Sequence, residues 1–125
     1  MAEPLIMIND YRIDPSQTDE FLGRFEELVK VVETEEPKVL YFAEHLSADR
    51  AEGSTVQVHA DAANVEYHLE LVGERIAELL GYLDFLGIRV YGTPTEPVLE
   101  QLRAIAGDGL VVKPLALGFD RFPRA

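Results

Sequence analysis

Three histidines, His45, His59 and His68, are the side chains in this chain whose ordinary pKa of about 6.5 lies near neutrality. There is no cysteine, which excludes disulfides, thiolate metal sites and a cysteine nucleophile. His59 and His68 are the candidate general bases. His59 closes a segment in which Val56 and Val58 alternate with Thr55, Gln57 and His59, the period of a half-buried strand. In the apolar segment 5 to 13, Asn9 and Tyr11 share one side with Met7, leaving Ile6 and Ile8 on the other. An amide in the middle of an apolar strand is costly unless it is hydrogen-bonded or used. His68 belongs to a helical segment, roughly 60° from the centre of its apolar stripe at about 100° per residue, so it reaches the edge of the same space. His59 or His68 as base, Asn9 beside it, and Tyr11 and Gln57 to hold a substrate oxygen make a set able to take a proton from a hydroxyl and stabilise the oxyanion. Each also has a structural reading: His59 as a hydrogen-bonded strand end, His68 as a packing residue. Arg89 reads either as a clamp on a substrate oxygen or as a charge guarding an edge strand. His45 reads as a solvated hairpin residue.

Positioning these side chains takes a sheet with helices on one face. Residues 5 to 13 read as a strand that stops at Asp14-Pro15. Phe21, Phe25, Leu28 and Val32 repeat at helical spacing between residues 16 and 36, and Pro37 ends that helix. Residues 38 to 46 and 54 to 60 read as strands joined by a polar hairpin loop. Asp61 is a helix cap, with Val65, Leu69, Val72, Ile76 and Leu79 on one face behind it. Residues 83 to 92 complete the order β-α-β-β-α-β, which predicts an α+β, ferredoxin-like fold. Its helix-free side carries Ile6, Ile8, Val56 and Val58, and burial of that side against a second copy predicts a homodimer. Beyond the core, residues 5 to 92, an extension over 93 to 125 starts with a helix bearing Val98, Leu102 and Ile105. Gly107-Asp108-Gly109 stops it, 110 to 115 is extended, and Phe119 and Phe122 are expected on the partner or over a cleft. The whole reads as one domain, 1 to 125.

Composition narrows the function. Hydrophobic residues make up 47% and charged residues 27%, a globular balance, and the net charge of −12 with scattered Lys and Arg argues against nucleic-acid or anionic-membrane binding. No apolar run suits a bilayer span and residues 1 to 5 lack a basic leader, so a cytoplasmic location is expected. No HxxxH, HExxH, GxSxG, Walker or dinucleotide pattern is present, and no metal, flavin, nicotinamide or ATP is expected.

The passage His59-Ala60-Asp61-Ala62-Ala63-Asn64-Val65-Glu66-Tyr67-His68-Leu69, with Ile13-Asp14-Pro15 at the end of the first strand and Glu36-Pro37 before the second, resembles the antibiotic-biosynthesis-monooxygenase domains. These include quinol monooxygenases and haem-degrading enzymes, and the similarity covers roughly residues 5 to 92. It departs from the family where His59 stands in place of the common Trp and Gly73 in place of a second His. Of the three haem-site residues of the degrading branch, Asn9 alone has a counterpart, since residues 74 to 80 hold no histidine. The resemblance implies a dimeric α+β barrel and cofactor-independent oxygenation of a small phenol or quinol, in which the deprotonated substrate itself donates an electron to dioxygen. A non-catalytic dimer holding a small hydrophobic ligand, and a polyketide-cyclase-like protein, are the alternatives.

Overall fold

The computed structural model describes residues 3 to 123; Met1, Ala2, Arg124 and Ala125 lie outside the described residues, and with Met1 and Ala2 the start of the segment weighed above as a leader. Strand β1 (Leu5–Ile13) ends where Asp14 Oδ1 accepts the Ser16 N–H at 3.0 Å, and Pro15 opens a short 3-10 turn into helix α1 (Thr18–Glu35). A residue before proline is pushed out of the helical region. Glu36, at φ −127° and ψ 77°, duly leaves the helix before Pro37. Strands β2 (Val39–Leu46) and β3 (Glu52–His59) form a hairpin, and α2 (Ala63–Leu80) follows. Asp61 Oδ1 accepts the Asn64 N–H at 2.8 Å and so satisfies one of the helix's free N-terminal donors. Strand β4 (Leu83–Tyr91) completes the β-α-β-β-α-β order.

The extension contributes to the sheet as well as covering it. Helix α3 (Glu96–Ala106) leads to β5 (Leu110–Lys113), which pairs parallel with β4 from Ile88↔Leu110 to Tyr91↔Lys113. The result is a mixed five-stranded sheet in the order β2-β3-β1-β4-β5. Strand β4 is thus interior, and Arg89 guards no edge. A short extended stretch gave no sign in the sequence of which strand it would join.

Two bulges set which side chains face the helices. In the β1–β4 ladder Asp10 pairs with Gly87 but Tyr11 with Phe85, so Leu86 is the extra residue. The shift brings odd-numbered Phe85 to the same face as even-numbered Ile88 and Val90, and Phe85 meets Tyr11 at 5.9 Å between ring centroids. A second shift between Val39 and Tyr41 turns Phe42 and Glu44 toward the helices, opposite Gln57 and Thr55. Against this face α1 and α2 bury Phe21, Phe25, Leu28, Val32, Val72 and Leu79. Helix α3 adds Val98 and Leu102 to a second cluster with Leu5, Met7, Val65, Ile88 and Val90. On the helix-free face Ile6, Ile8 and Val56 stay half-buried, while the tail beyond β5 leaves Leu117 88% and Phe119 83% exposed.

Gly53 faces Tyr11 across β1 and β3, and a methyl there would overlap Glu44 Oε2 and stand 2.9 Å from Tyr11 Cε1. Gly53→Ala should therefore destabilise the fold by about 1–3 kcal/mol, the usual cost of overpacking, with urea unfolding as the measurement. A variant as stable as the wild type would mean that Glu44 and Tyr11 are free to move aside.

Candidate functional site

Between the sheet and helices α1 and α2 lies a cavity of about 60 Å³. Its floor is polar, with Asn9 and Tyr11 from β1 and Thr55 and Gln57 from β3, the row that strand parity predicts. Its walls are apolar, chiefly Phe21, Phe25, Phe42 and Leu79. Six lining residues are half-buried, Asn9, Phe42, Ile76, Leu80, Leu83 and Phe85, and the last four cluster between the end of α2 and the start of β4.

His68 enters from α2 and is fully buried. Its Nδ1 lies 2.8 and 3.0 Å from the two carboxylate oxygens of Glu36, itself fully buried. Both oxygens around one nitrogen is the geometry of a carboxylate accepting a single N–H, which fixes the proton on Nδ1. Nε2 is left as a bare acceptor, buried and without a partner. Burial lowers the His68 pKa, and the Glu36 hydrogen bond and charge oppose that only in part, so the ring is neutral near pH 7. Asn9 Oδ1, in the same lining, is likewise buried without a partner. Two acceptors therefore stand unsatisfied in one apolar space, where each costs about 1–3 kcal/mol.

His59 is occupied on both sides. The Asn64 amide donates to its Nδ1 at 3.0 Å, and its Nε2–H donates to Gln57 Oε1 at 2.9 Å. It packs edge-on to His68 with ring centroids 5.2 Å apart. Burial, with the neighbouring His68 adding to it, pushes its pKa down to about 3. Thus Gln57 lines the cavity but spends its oxygen on His59, and of the two histidines His68 is the one with a free nitrogen. At the other end of the floor, Tyr11 Oη donates to Glu44 Oε1 and lies 2.6 Å from Thr55 Oγ1, which is itself 2.9 Å from Glu44 Oε1. Burial raises the Tyr11 pKa, and Glu44 raises it further.

Arg89 does not join the others. It projects from the helix-free face and donates from Nε to Asp10 Oδ2 at 3.1 Å. His45, exposed, meets Tyr41 at 3.1 Å on that same face. An open groove of about 600 Å³ lies where the tail passes Ile6 and Tyr91, but none of His59, His68, Asn9, Tyr11, Gln57 or Arg89 lines it. Among the described residues no three His, Cys, Asp or Glu side chains gather as a metal-binding group, and no helix is long and apolar enough to cross a membrane.

No protein-family model and no curated protein matches the chain. Solved structures do. MupZ from Pseudomonas fluorescens superposes with a TM-score of 0.75 at 18% identity, covering 95% of both chains. A protein from Bacteroides thetaiotaomicron, provisionally named an antibiotic biosynthesis monooxygenase, gives 0.62 at 19% identity, over 69% of this chain and 85% of that one. A protein of Caulobacter crescentus with the same provisional name gives 0.62 at 14%, over 71% and 86%. The chain has the fold of the antibiotic biosynthesis monooxygenases. Within this antibiotic-biosynthesis-monooxygenase fold the two shorter matches span about the share taken by the β-α-β-β-α-β core, whereas the likeness to MupZ takes in C-terminal elements as well.

Glu36, Glu44, Thr55 and Asn64 hold the site together, yet none stands out in the sequence. Glu36 offered one signal: an acid at the C-terminal end of a helix opposes the helix dipole and is out of place there without a partner.

A histidine whose folded pKa lies below its unfolded value binds a proton more readily when unfolded, so its contribution to stability is present above about pH 6.5 and is lost as pH falls toward the folded pKa. With His59 at about 3, stability should fall between roughly pH 6.5 and 3 with a contribution approaching 1.4 kcal/mol per pH unit. Subtracting the profile of a folded His59→Gln variant isolates that slope; parallel profiles would show that His59 titrates normally.

Proposed function

We propose that the chain is a cofactor-independent monooxygenase acting on a small phenol or quinol, with His68 as the base. The observation that carries this reading is the pair of unpartnered acceptors, His68 Nε2 and Asn9 Oδ1, in one apolar cavity. Acceptors call for a ligand that brings hydroxyl donors on an apolar frame, since an anion would meet bare lone pairs at both. In the proposed reaction His68 Nε2 takes the hydroxyl proton, and the electron-rich ring passes an electron to dioxygen. A carbon–oxygen bond then forms, and the imidazolium returns its proton to give a ring hydroperoxide. Loss of the ring C–H proton with cleavage of the O–O bond leaves a quinone and one water: the phenol loses two hydrogens and gains one oxygen atom. In a quinol, Asn9 Oδ1 accepts from the second hydroxyl, and Tyr11 and Gln57 shape the floor.

Binding requires the cavity to open. About 60 Å³ is well below the roughly 150 Å³ that admits a benzene ring, and the half-buried side formed by Ile76, Leu80, Leu83 and Phe85 is where it gives most readily. We further propose that two copies associate through the helix-free face, with Ile8 and Val56 at its centre and Leu117 and Phe119 extending the apolar area. Sedimentation at micromolar concentration should give twice the mass of a 14.0 kDa chain, and Val56→Glu should halve it. A wild-type monomer contradicts the association.

Oxygen uptake with phenols and quinols tests the reaction. A base must be neutral to act, and because the His68 pKa is lowered, the acid limb of the rate profile should lie below the ordinary value of about 6.5. His68→Ala should lose roughly 10²- to 10⁴-fold in turnover per folded molecule, while His59→Gln should act mainly on melting. Full turnover in folded His68→Ala rejects His68 as the base. Tight binding without uptake favours a ligand-holding protein.

A further inference from the structure

One group of buried oxygens has no part in the base chemistry. Tyr11 Oη, Thr55 Oγ1 and Glu44 Oε1 form a triangle in which each atom is within hydrogen-bond distance of the other two. Three edges between oxygens need three protons, or one pair is left with lone pairs face to face. Tyr11 and Thr55 bring one proton each. The third has one source, Glu44 as a carboxylic acid. The other oxygen points the same way, because Glu44 Oε2 is buried without a partner, and an unpaired oxygen is far less costly to bury on a neutral acid than on an anion. The titratable neighbours are Tyr11 from β1 and His45, the next residue along β2. None of the ion pairs among the described residues involves Glu44. Burial raises the Glu44 pKa, in keeping with this count.

Tyr11 and Thr55 line the cavity, whereas Glu44 stands behind them. We propose that Glu44 is a neutral acid that donates its proton through Tyr11 Oη to the oxygen atom leaving as water, at the opposite end of the floor from His68. This rests on the reading of the cavity as an oxygenation site. When the O–O bond of the ring hydroperoxide breaks, its electron pair stays with the departing oxygen, and the ring carbon becomes a carbonyl as His68 takes the C–H proton. With Tyr11 donating to Glu44, the ring of hydrogen bonds runs on from Glu44 to Thr55 and back to Tyr11, so Tyr11 protonates the departing oxygen and is reprotonated by Glu44 through Thr55. His68 is left as imidazolium and Glu44 as carboxylate, and transfer of one proton between them restores the starting state. The floor thus carries a base at one end and an acid at the other, matching the two proton transfers that the conversion requires.

Infrared spectroscopy at pH 7 on the full chain tests the protonation, since ordinary surface acids are ionised there. The wild type should show a carboxylic C=O band that Glu44→Gln removes. With 1-naphthol, whose para position is free, Glu44→Gln and Tyr11→Phe should still take up oxygen but release quinone at least about 10²-fold more slowly, with hydroperoxide accumulating. His68→Ala should take up none, which separates a loss of acid from a loss of base. Circular dichroism confirms that each variant is folded, and Tyr11→Phe serves if Glu44→Gln is not. A carboxylate band alone in the wild type overturns the proposal, as does quinone release at the wild-type rate in Glu44→Gln. If the wild type takes up no oxygen, the oxygenase reading falls and the donor role with it, and the infrared band then separately decides whether Glu44 is neutral.

Discussion

Glu36 carries a wholly buried carboxylate whose hydrogen bonds run to one imidazole nitrogen, Nδ1 of His68. Burying a carboxyl group whose oxygens find no hydrogen-bond partner is costly, so the end of α1 and the middle of α2 are tied together at this point. The consequences spread outward. Fixing Nδ1–H aims a bare Nε2 into the cavity, and His59, packed against the same ring, must find its own partners in Gln57 and Asn64. Asn64 in turn sits in the first turn of α2 that Asp61 caps. Helix start and strand end therefore share one polar network, and the Glu36–His68 pair packs against it ring to ring inside an apolar shell.

The helix periods and strand alternation made the core order and the polar floor legible. Phe21, Phe25, Leu28 and Val32 at helical spacing can bury one face only, and Asn9 and Gln57 at matching parity can only point toward the helices once Ile6 and Val56 point away. Three things were not legible. The bulges that turn Phe85 and Glu44 inward depend on ladder pairing, which local pattern does not encode. The pairing of β5 with β4 is a tertiary choice for a four-residue stretch. The roles of Glu36 and Glu44 were hidden because an acid in sequence reads as a solvated charge until the structure shows what surrounds it. Arg89 illustrates the converse, since an Arg on a central strand invites a functional reading that its Asp10 partner accounts for.

Likeness to MupZ and the other solved structures reaches no further than fold, and function lives in sites grafted onto folds. Here the site is defined by what this chain has: a carboxylate-held imidazole, a three-oxygen cluster and an apolar cavity between them. His59 supports the floor through hydrogen bonds that an indole, a donor only, could not reproduce on both sides.

The central claim is that His68 is a neutral, Nδ1-protonated imidazole with a free Nε2 near pH 7. Nitrogen-15 NMR of histidine-labelled protein, with His68→Gln for assignment, reads this directly. The account predicts a protonated Nδ1 and an unprotonated, acceptor-like Nε2 at pH 7, with protonation of Nε2 only below the ordinary histidine range. An imidazolium at pH 7, or a proton on Nε2 with Nδ1 bare, would contradict it.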